Sequence, residues 1–325
     1  MLHGVINIYK EPGFTSHDVV AKLRGILRQK KIGHTGTLDP AAEGVLPVCL
    51  GQGTRLCDML TDKTKTYEAV LLLGRETDTQ DTTGQTLAEY PVEVTQEEVC
   101  RQAASFIGEY DQVPPMYSAL KVDGKKLYEL ARAGREVERQ ARRVQILALS
   151  VDWVDLPRVG LTVTCSKGTY IRTLCYDLGR ALGCGGCMEH LKRTQVERFR
   201  WEDSLTLSQI QAIRDAEGIE GLERLVIPIE QMFDGPKAVA GPEGNKLVQN
   251  GNPVTEADFA YLMAEENLDG SQEGDSAEPA AASKIRLPRT GLIRVYSSSR
   301  EFLGVYQYDQ SRGWWKPKKM FPRET

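Results

Sequence analysis

Residues 33–47 read Gly-His-Thr-Gly-Thr-Leu-Asp-Pro-Ala-Ala-Glu-Gly-Val-Leu-Pro, with three glycines and two prolines in one short stretch. Proline cannot continue a helix interior or a central strand, and glycine weakens both. The stretch is therefore expected to be a tight loop that feeds the apolar run 45–50. Asp39 sits immediately before Pro40, which restricts the backbone on both sides of the carboxylate. Such a carboxylate can be held rigidly for chemistry; the plainer reading is an Asp-Pro turn. The loop is not a phosphate-binding P-loop, because no Gly-Lys-Ser/Thr follows at the required spacing.

Around this loop the chain alternates short strands and helices. A strand is expected over 4–9, followed by a turn at Pro12-Gly13. Thr15 and Ser16 can cap a helix whose apolar positions Val19, Val20, Leu23, Ile26 and Leu27 recur at helical spacing, with Lys22, Arg24, Arg28, Lys30 and Lys31 away from them. A further strand is expected over 67–73. Thr95 with Glu98 makes a capping box for a helix through Val99, Ala103, Phe106 and Ile107. Residues 144–154 and 159–165 read as paired strands around Pro157, and a helix is expected from Tyr170 to Gly183. The order lacks regular βαβ spacing, which points to an α+β fold with a mixed or antiparallel sheet. Ile227-Pro228 and Asp234-Gly235-Pro236 mark a boundary, after which short β-rich runs suggest a small second domain.

Composition enters through charge. The net charge is −4, but eight acids and no Lys or Arg lie between residues 255 and 283, so the remainder carries +4. Residues 121–143 hold eight basic side chains against four acids, and residues 312–323 hold five with the pair Trp314-Trp315. Basic segments beside aromatics can track a phosphate backbone and stack on bases; solvated faces are the alternative. No run approaches the ~18 apolar residues that span a bilayer, and the N-terminus lacks the pattern of a signal peptide. Seven cysteines, an odd and sparse count, suggest reduced thiols in a cytoplasmic protein.

A second segment, Cys165-Ser-Lys-Gly-Thr-Tyr170-Ile-Arg172-Thr-Leu174, takes a strand into a helix and puts Tyr170 and Arg172 at the junction. An arginine facing a buried carboxylate would lower its pKa and keep it ionised; a structural ion pair is the plainer reading. Cys175, Cys184, Cys187 and His190 could in principle form a Cys₃His site, but there is no second Cys-x-x-Cys, and no metal is expected. The stretch 78–84 hints at a calcium loop, but its spacing fails and it reads better as a polar turn.

Taken in order, Lys10-Glu-Pro-Gly-Phe-Thr-Ser16, the 33–48 loop, Lys65-Thr-Tyr67, Gln112-Val-Pro-Pro-Met-Tyr-Ser-Ala-Leu-Lys121, Gly168-Thr-Tyr-Ile-Arg-Thr-Leu174 and Leu191-Lys-Arg-Thr194 resemble the bacterial TruB-type tRNA pseudouridine synthases over nearly the whole chain. The resemblance implies an isomerase that detaches uracil from its ribose, rotates it and rejoins it through C5, with no cofactor or metal. It implies that Asp39 is the catalytic aspartate, that Arg172 pairs with it, and that Tyr67 stacks on the flipped base and helps remove its C5 proton at the end. His34, Tyr170 and Leu191 are implied as further substrate-pocket residues.

The substrate implied is the T-loop uridine 55 of tRNA. The catalytic domain would occupy 1–232, with an RNA-gripping insertion at about 110–145 whose Lys121, Lys125, Lys126, Arg142 and Arg143 hold the T-arm stem-loop. A PUA-like domain at 236–322, carrying an acidic, disordered insertion at about 264–284, would contact the acceptor stem. A monomer with no membrane association is expected. Asp39 could attack the sugar, attack the base or remove a ribose proton. A tRNA-binding folding chaperone whose main role is non-catalytic is the alternative function.

Overall fold

The computed structural model describes residues 1–122, 124–263 and 286–321; the acidic insertion expected at about 264–284 lies outside the described residues. The chain divides into two compact units, residues 1–2 with 6–225 and residues 3–5 with 226–325. Among the described residues no helix is long and apolar enough to cross a membrane.

The larger unit is built on a nine-stranded mixed sheet. Its main path runs Gly4–Lys10, Glu43–Leu50, Gly186–Val196, Lys65–Leu73, Arg158–Cys165, Arg142–Asp155 and Gly108–Gln112, with Ile32–His34 and Phe199–Arg200 attached at the side. The strand Gly186–Val196 runs parallel to Glu43–Leu50 and antiparallel to Lys65–Leu73. Alternation sorts the faces of Lys65–Leu73: Lys65, Tyr67, Ala69, Leu71 and Leu73 are buried, while the residues between them are more open. That buried face packs with Leu161, Val163, Ile171, Leu174, Leu178 and Leu191 into the main core.

The helices form where capping and periodicity place them. Thr15 and Asp18 make a reciprocal box at the start of Ser16–Leu27, which buries Val19, Val20, Leu23 and Leu27. Thr95 and Glu98 do the same for Gln96–Ala104. That helix stops earlier than its apolar spacing suggests: Phe106 and Ile107 belong to a turn, and Gly108 at φ +111° swings the chain into the next strand. The turn leaves Ile107 exposed and lets Phe106 meet Tyr110 edge-on at 5.5 Å. The paired strands around Pro157 form an antiparallel hairpin, with Asp155 opposite Arg158. The helix Ile171–Ala181 follows Tyr170 as expected.

The long strand Gly186–Val196 is not evident from the sequence, because Glu189, His190, Lys192 and Arg193 break its apolar pattern. Cys175 and Cys184 are packed into the main core and Cys187 is buried on this strand, while His190 meets Glu43 at 3.0 Å. Among the described residues no group of three His, Cys, Asp or Glu side chains is arranged to hold a metal.

The smaller unit is β-rich. Its five-stranded sheet runs Phe259–Met263, Lys237–Ala240, Leu292–Tyr296, Phe302–Asp309 and Trp314–Met320, and the helix Pro242–Gln249 packs beside it. It has its own core of Ala238, Val248, Phe259, Ile293, Val295, Tyr306 and Trp315. Trp315 is 3% exposed, so packing accounts for it; Trp314 is half-buried with the Arg312 guanidinium 5.5 Å from its ring.

Candidate active site

The Asp39 loop is tied down at many points by its neighbours. Ser16, in the first turn of its helix, accepts a hydrogen bond from the Leu38 amide at 2.9 Å. The Gly13 amide donates to the Pro40 carbonyl at 2.8 Å, and Thr35 donates to Pro47 at 3.1 Å, closing the loop's base. Lys10, fully buried, donates to the carbonyls of Pro40 and Ala42. Burial pushes the Lys10 amine down to about 8, with the Asp39 charge opposing that shift. Gly36 and Gly44 both adopt positive φ. A side chain at Gly44 would begin 2.2 Å from the Arg193 carbonyl oxygen, so only glycine fits there.

Asp39 faces Arg172 from the start of the Ile171–Ala181 helix. The guanidinium Nε lies 3.0 Å from one carboxylate oxygen and Nη2 lies 3.5 Å from the other. Its remaining donors reach the Thr79 carbonyl at 3.1 Å, Asp81 at 3.3 Å and the Tyr117 carbonyl at 2.8 Å. Arg172, only 6% exposed in its side chain, thus holds together the Asp39 loop, the 77–85 turn and the segment after Pro115. The planar guanidinium fork suits this task, because a lysine could not keep all these directions at once.

The ionisation of Asp39 differs from the sequence expectation. Arg172 does favour the charged form, but loss of solvation outweighs it and Asp81 adds repulsion, so the carboxyl is raised above its ordinary value. Desolvation is the larger effect, and the repulsion from Asp81 adds to it.

Tyr67 is buried on the inner face of its strand, in one cluster with Leu38, Ala42 and Leu191. Burial pushes its phenol up to about 12, while the charge of the neighbouring Arg193 pulls it back. Tyr170 caps the Arg172 helix and is clamped by Gln112, which accepts from its amide at 2.8 Å and donates to its carbonyl at 3.0 Å. His34 ends a short strand at the loop entrance. Burial there lowers its pKa, with His17 and Arg193 acting in the same direction.

Of the basic residues, Arg142 reaches this site, where its charge acts on the Tyr170 phenol. Lys121, Lys125 and Lys126 sit on a two-stranded hairpin, Lys121–Val122 with Lys125–Lys126, before the short helix Leu127–Arg132. A small cluster of Met116, Leu127 and Leu130 supports this segment. Lys126 lies over the Tyr128 ring at 5.2 Å. Arg142 and Arg143 begin a sheet strand opposite Gln112 and Asp111. Arg143 is already engaged by Asp111 at 3.2 Å and Glu109 at 3.9 Å.

Two side chains of this site, Lys10 and Arg193, escape a reading of the sequence, and a third, Asp81, is reached there only as part of a segment that the family resemblance sets near the active-site cleft. Asp81 lies in the polar turn 78–84. Its other carboxylate oxygen takes bonds from the Thr79 hydroxyl and the Thr83 amide and hydroxyl, which aims it at Arg172. Lys10 and Arg193 stand inside family-like motifs, but nothing local distinguishes a buried cation from an exposed one.

Comparison with known proteins agrees with this geometry. Residues 24–171 match the model of the TruB family pseudouridylate synthase N-terminal domain, and residues 172–234 match that of the tRNA pseudouridylate synthase B C-terminal domain. A tRNA pseudouridine synthase B of Lachnoclostridium phytofermentans is 46% identical over 98% of this chain and 100% of its own length. One of Alkaliphilus oremlandii is 47% identical over 78% of this chain and 83% of its own. A crystal structure of a Cbf5-Nop10-Gar1 complex contains a chain that superposes with a TM-score of 0.70 at 27% identity, covering 99% of this chain and 86% of that one. The fold and the family match are those of a pseudouridine synthase. Within that class, the chain belongs to the TruB family.

Proposed function

We propose that this chain isomerises uridine to pseudouridine in tRNA, and that its target is uridine 55 of the T loop. The observation that carries the reading is Asp39, fixed on a braced loop against Arg172 and close to the buried Tyr67, in a member of a pseudouridylate synthase family. A base inside folded RNA must be flipped out before its glycosidic bond can be reached, at a cost of a few kcal/mol. Tyr67 offers a ring on which the flipped base stacks; Leu191, Tyr170 and His34 line the pocket around it. A carboxylate whose proton affinity is raised by burial is a stronger nucleophile and base than one in water. Arg172 fixes the direction in which Asp39 presents its oxygens.

The finer assignments belong to the same proposal. Residues 1–232 form the catalytic domain and the insertion at about 110–145 grips the T-arm through Lys121, Lys125, Lys126, Arg142 and Arg143. Residues 236–322 form a PUA-like domain that meets the acceptor stem. The family match ending at residue 234 and the separate β-rich core support this division. The enzyme works as a cytoplasmic monomer.

The test uses an unmodified tRNA transcript with wild-type protein and Asp39→Asn, and maps pseudouridine by mass spectrometry. Conversion of one T-loop uridine by the wild type, absent in the variant despite retained binding, is the expected result. Binding without conversion by either protein would favour the folding-chaperone alternative.

A further inference from the structure

Arg193 is a buried cation with no part in the chemistry assigned to Asp39, Arg172 and Tyr67. It is 1% exposed and the largest of the fully buried side chains. Its Nε donates to the Val45 carbonyl at 2.7 Å and its Nη2 lies 3.4 Å from the Gly36 carbonyl, so it grips the catalytic loop on both sides of Asp39. In the sheet it stands directly opposite Tyr67 on one side and opposite Gly44 on the other. Cross-strand partners of this kind bring their side chains together on one face, and the Arg193 charge acts on the Tyr67 phenol, pulling its pKa down against the effect of burial.

These bonds go to two carbonyls, not to a carboxylate. Burying a charge without a counter-ion costs stability, and an apolar side chain of similar volume would serve packing better. The charge is also felt nearby: Arg193 acts with burial to push His34, Lys10 and Lys65 toward their neutral forms. A residue this costly to keep, placed where the loop and the stacking tyrosine meet, needs a reason beyond packing.

We propose that Arg193 is a positioning residue for the reaction: standing opposite Tyr67 in the sheet and bonded to both arms of the Asp39 loop, it holds the base-stacking ring and the carboxylate as one unit. The proposal rests on the isomerase reading. Arg172 fixes Asp39 from the helix side, through the carboxylate itself; Arg193 fixes it from the sheet side, through the loop backbone. The two arginines therefore divide the work. Loss of Arg193 lets the ring and the loop move independently while leaving the Asp39–Arg172 pair intact. Affinity for RNA, set by surface cations, is then little changed.

The test is a double-mutant cycle on the full chain: wild type, Arg193→Met, Tyr67→Phe and the double variant. Single-turnover pseudouridine formation is read by mass spectrometry and T-arm RNA affinity is measured alongside. Misplacing a catalytic group by about 1 Å costs on the order of 100-fold in rate, so Arg193→Met is expected to slow conversion by about that factor with affinity changed less than about threefold. In the Tyr67→Phe background, which keeps the ring but removes the hydroxyl, the same substitution is expected to cost at least about tenfold less, because coupled residues do not add. Arg193→Lys, which keeps the charge and one donor direction, is expected to restore part of the rate and supplies the cycle should the Met variant unfold. Losses that simply multiply across the cycle, or a rate loss matched by the loss of affinity, overturn the proposal. If the wild type itself forms no pseudouridine, the isomerase reading fails instead.

Discussion

At the scale of single residues, the site places charge where folding alone would not. Asp39 has a raised carboxyl pKa because burial and Asp81 outweigh Arg172. The sign of the consequence follows from linkage: a carboxylate that holds its proton more tightly when folded destabilises the native state as pH rises from the unfolded value of 3.8 through the folded one. Asp39→Asn removes that penalty. The variant is expected to lose conversion yet to be more stable than wild type at pH 7.5, by less than about 1 kcal/mol, given that 38% of the Asp39 side chain meets solvent. Urea unfolding at pH 7.5 and at pH 4 checks this: the gap should narrow toward acid, and a less stable variant at both values would contradict the account. Lys10 and Lys65, both pushed down to about 8 by burial, show the same exchange of stability for geometry.

At the scale of elements, capping boxes and alternation were readable because they depend only on near neighbours in sequence. Thr15–Asp18 and Thr95–Glu98 start helices where their spacing indicates, and Tyr67 falls on the buried face of its strand. The strand Gly186–Val196 was not readable: flanked on both sides in the sheet, it buries an arginine where local pattern leads one to expect solvent. The hairpin at Lys121–Val122 and Lys125–Lys126 depends on a small cluster of its own and offers exposed cations. Changing Lys125, Lys126 and Arg142 to Glu is expected to weaken tRNA binding and to flatten the slope of log K against log salt by about one for each phosphate no longer neutralised. Adding Arg143→Glu should change the slope least, because Arg143 is already held by Asp111 and Glu109. A fluorescence titration at four salt concentrations provides the slopes, and equal slopes for wild type and triple variant would rule out this surface.

At the scale of the whole molecule, each of the two units has a hydrophobic core of its own among the described residues. A core aromatic cut to alanine costs about 3–5 kcal/mol. Trp315→Ala, at the centre of the smaller core, is therefore expected to lower one calorimetric transition by many degrees and to leave the other near its wild-type temperature. A single transition that shifts as a whole would mean that the two cores melt together.

What the sequence determined by itself is whatever depends on short-range chemistry: the tight glycine- and proline-rich loop, the rigid setting of Asp39 before Pro40, the helix starts, the β-rich second unit and the basic stretch at 121–143. What only the tertiary structure decided is who faces whom across long separations. Arg172 reaching Asp39 was foreseen from the family resemblance. The sharing of its charge with Asp81, the raised pKa of Asp39 that loss of solvation causes and the burial of Arg193 opposite Tyr67 were not. The physical reason is that desolvation and counter-charge are set by everything within a few ångströms, and those neighbours come from strands and turns far apart along the chain.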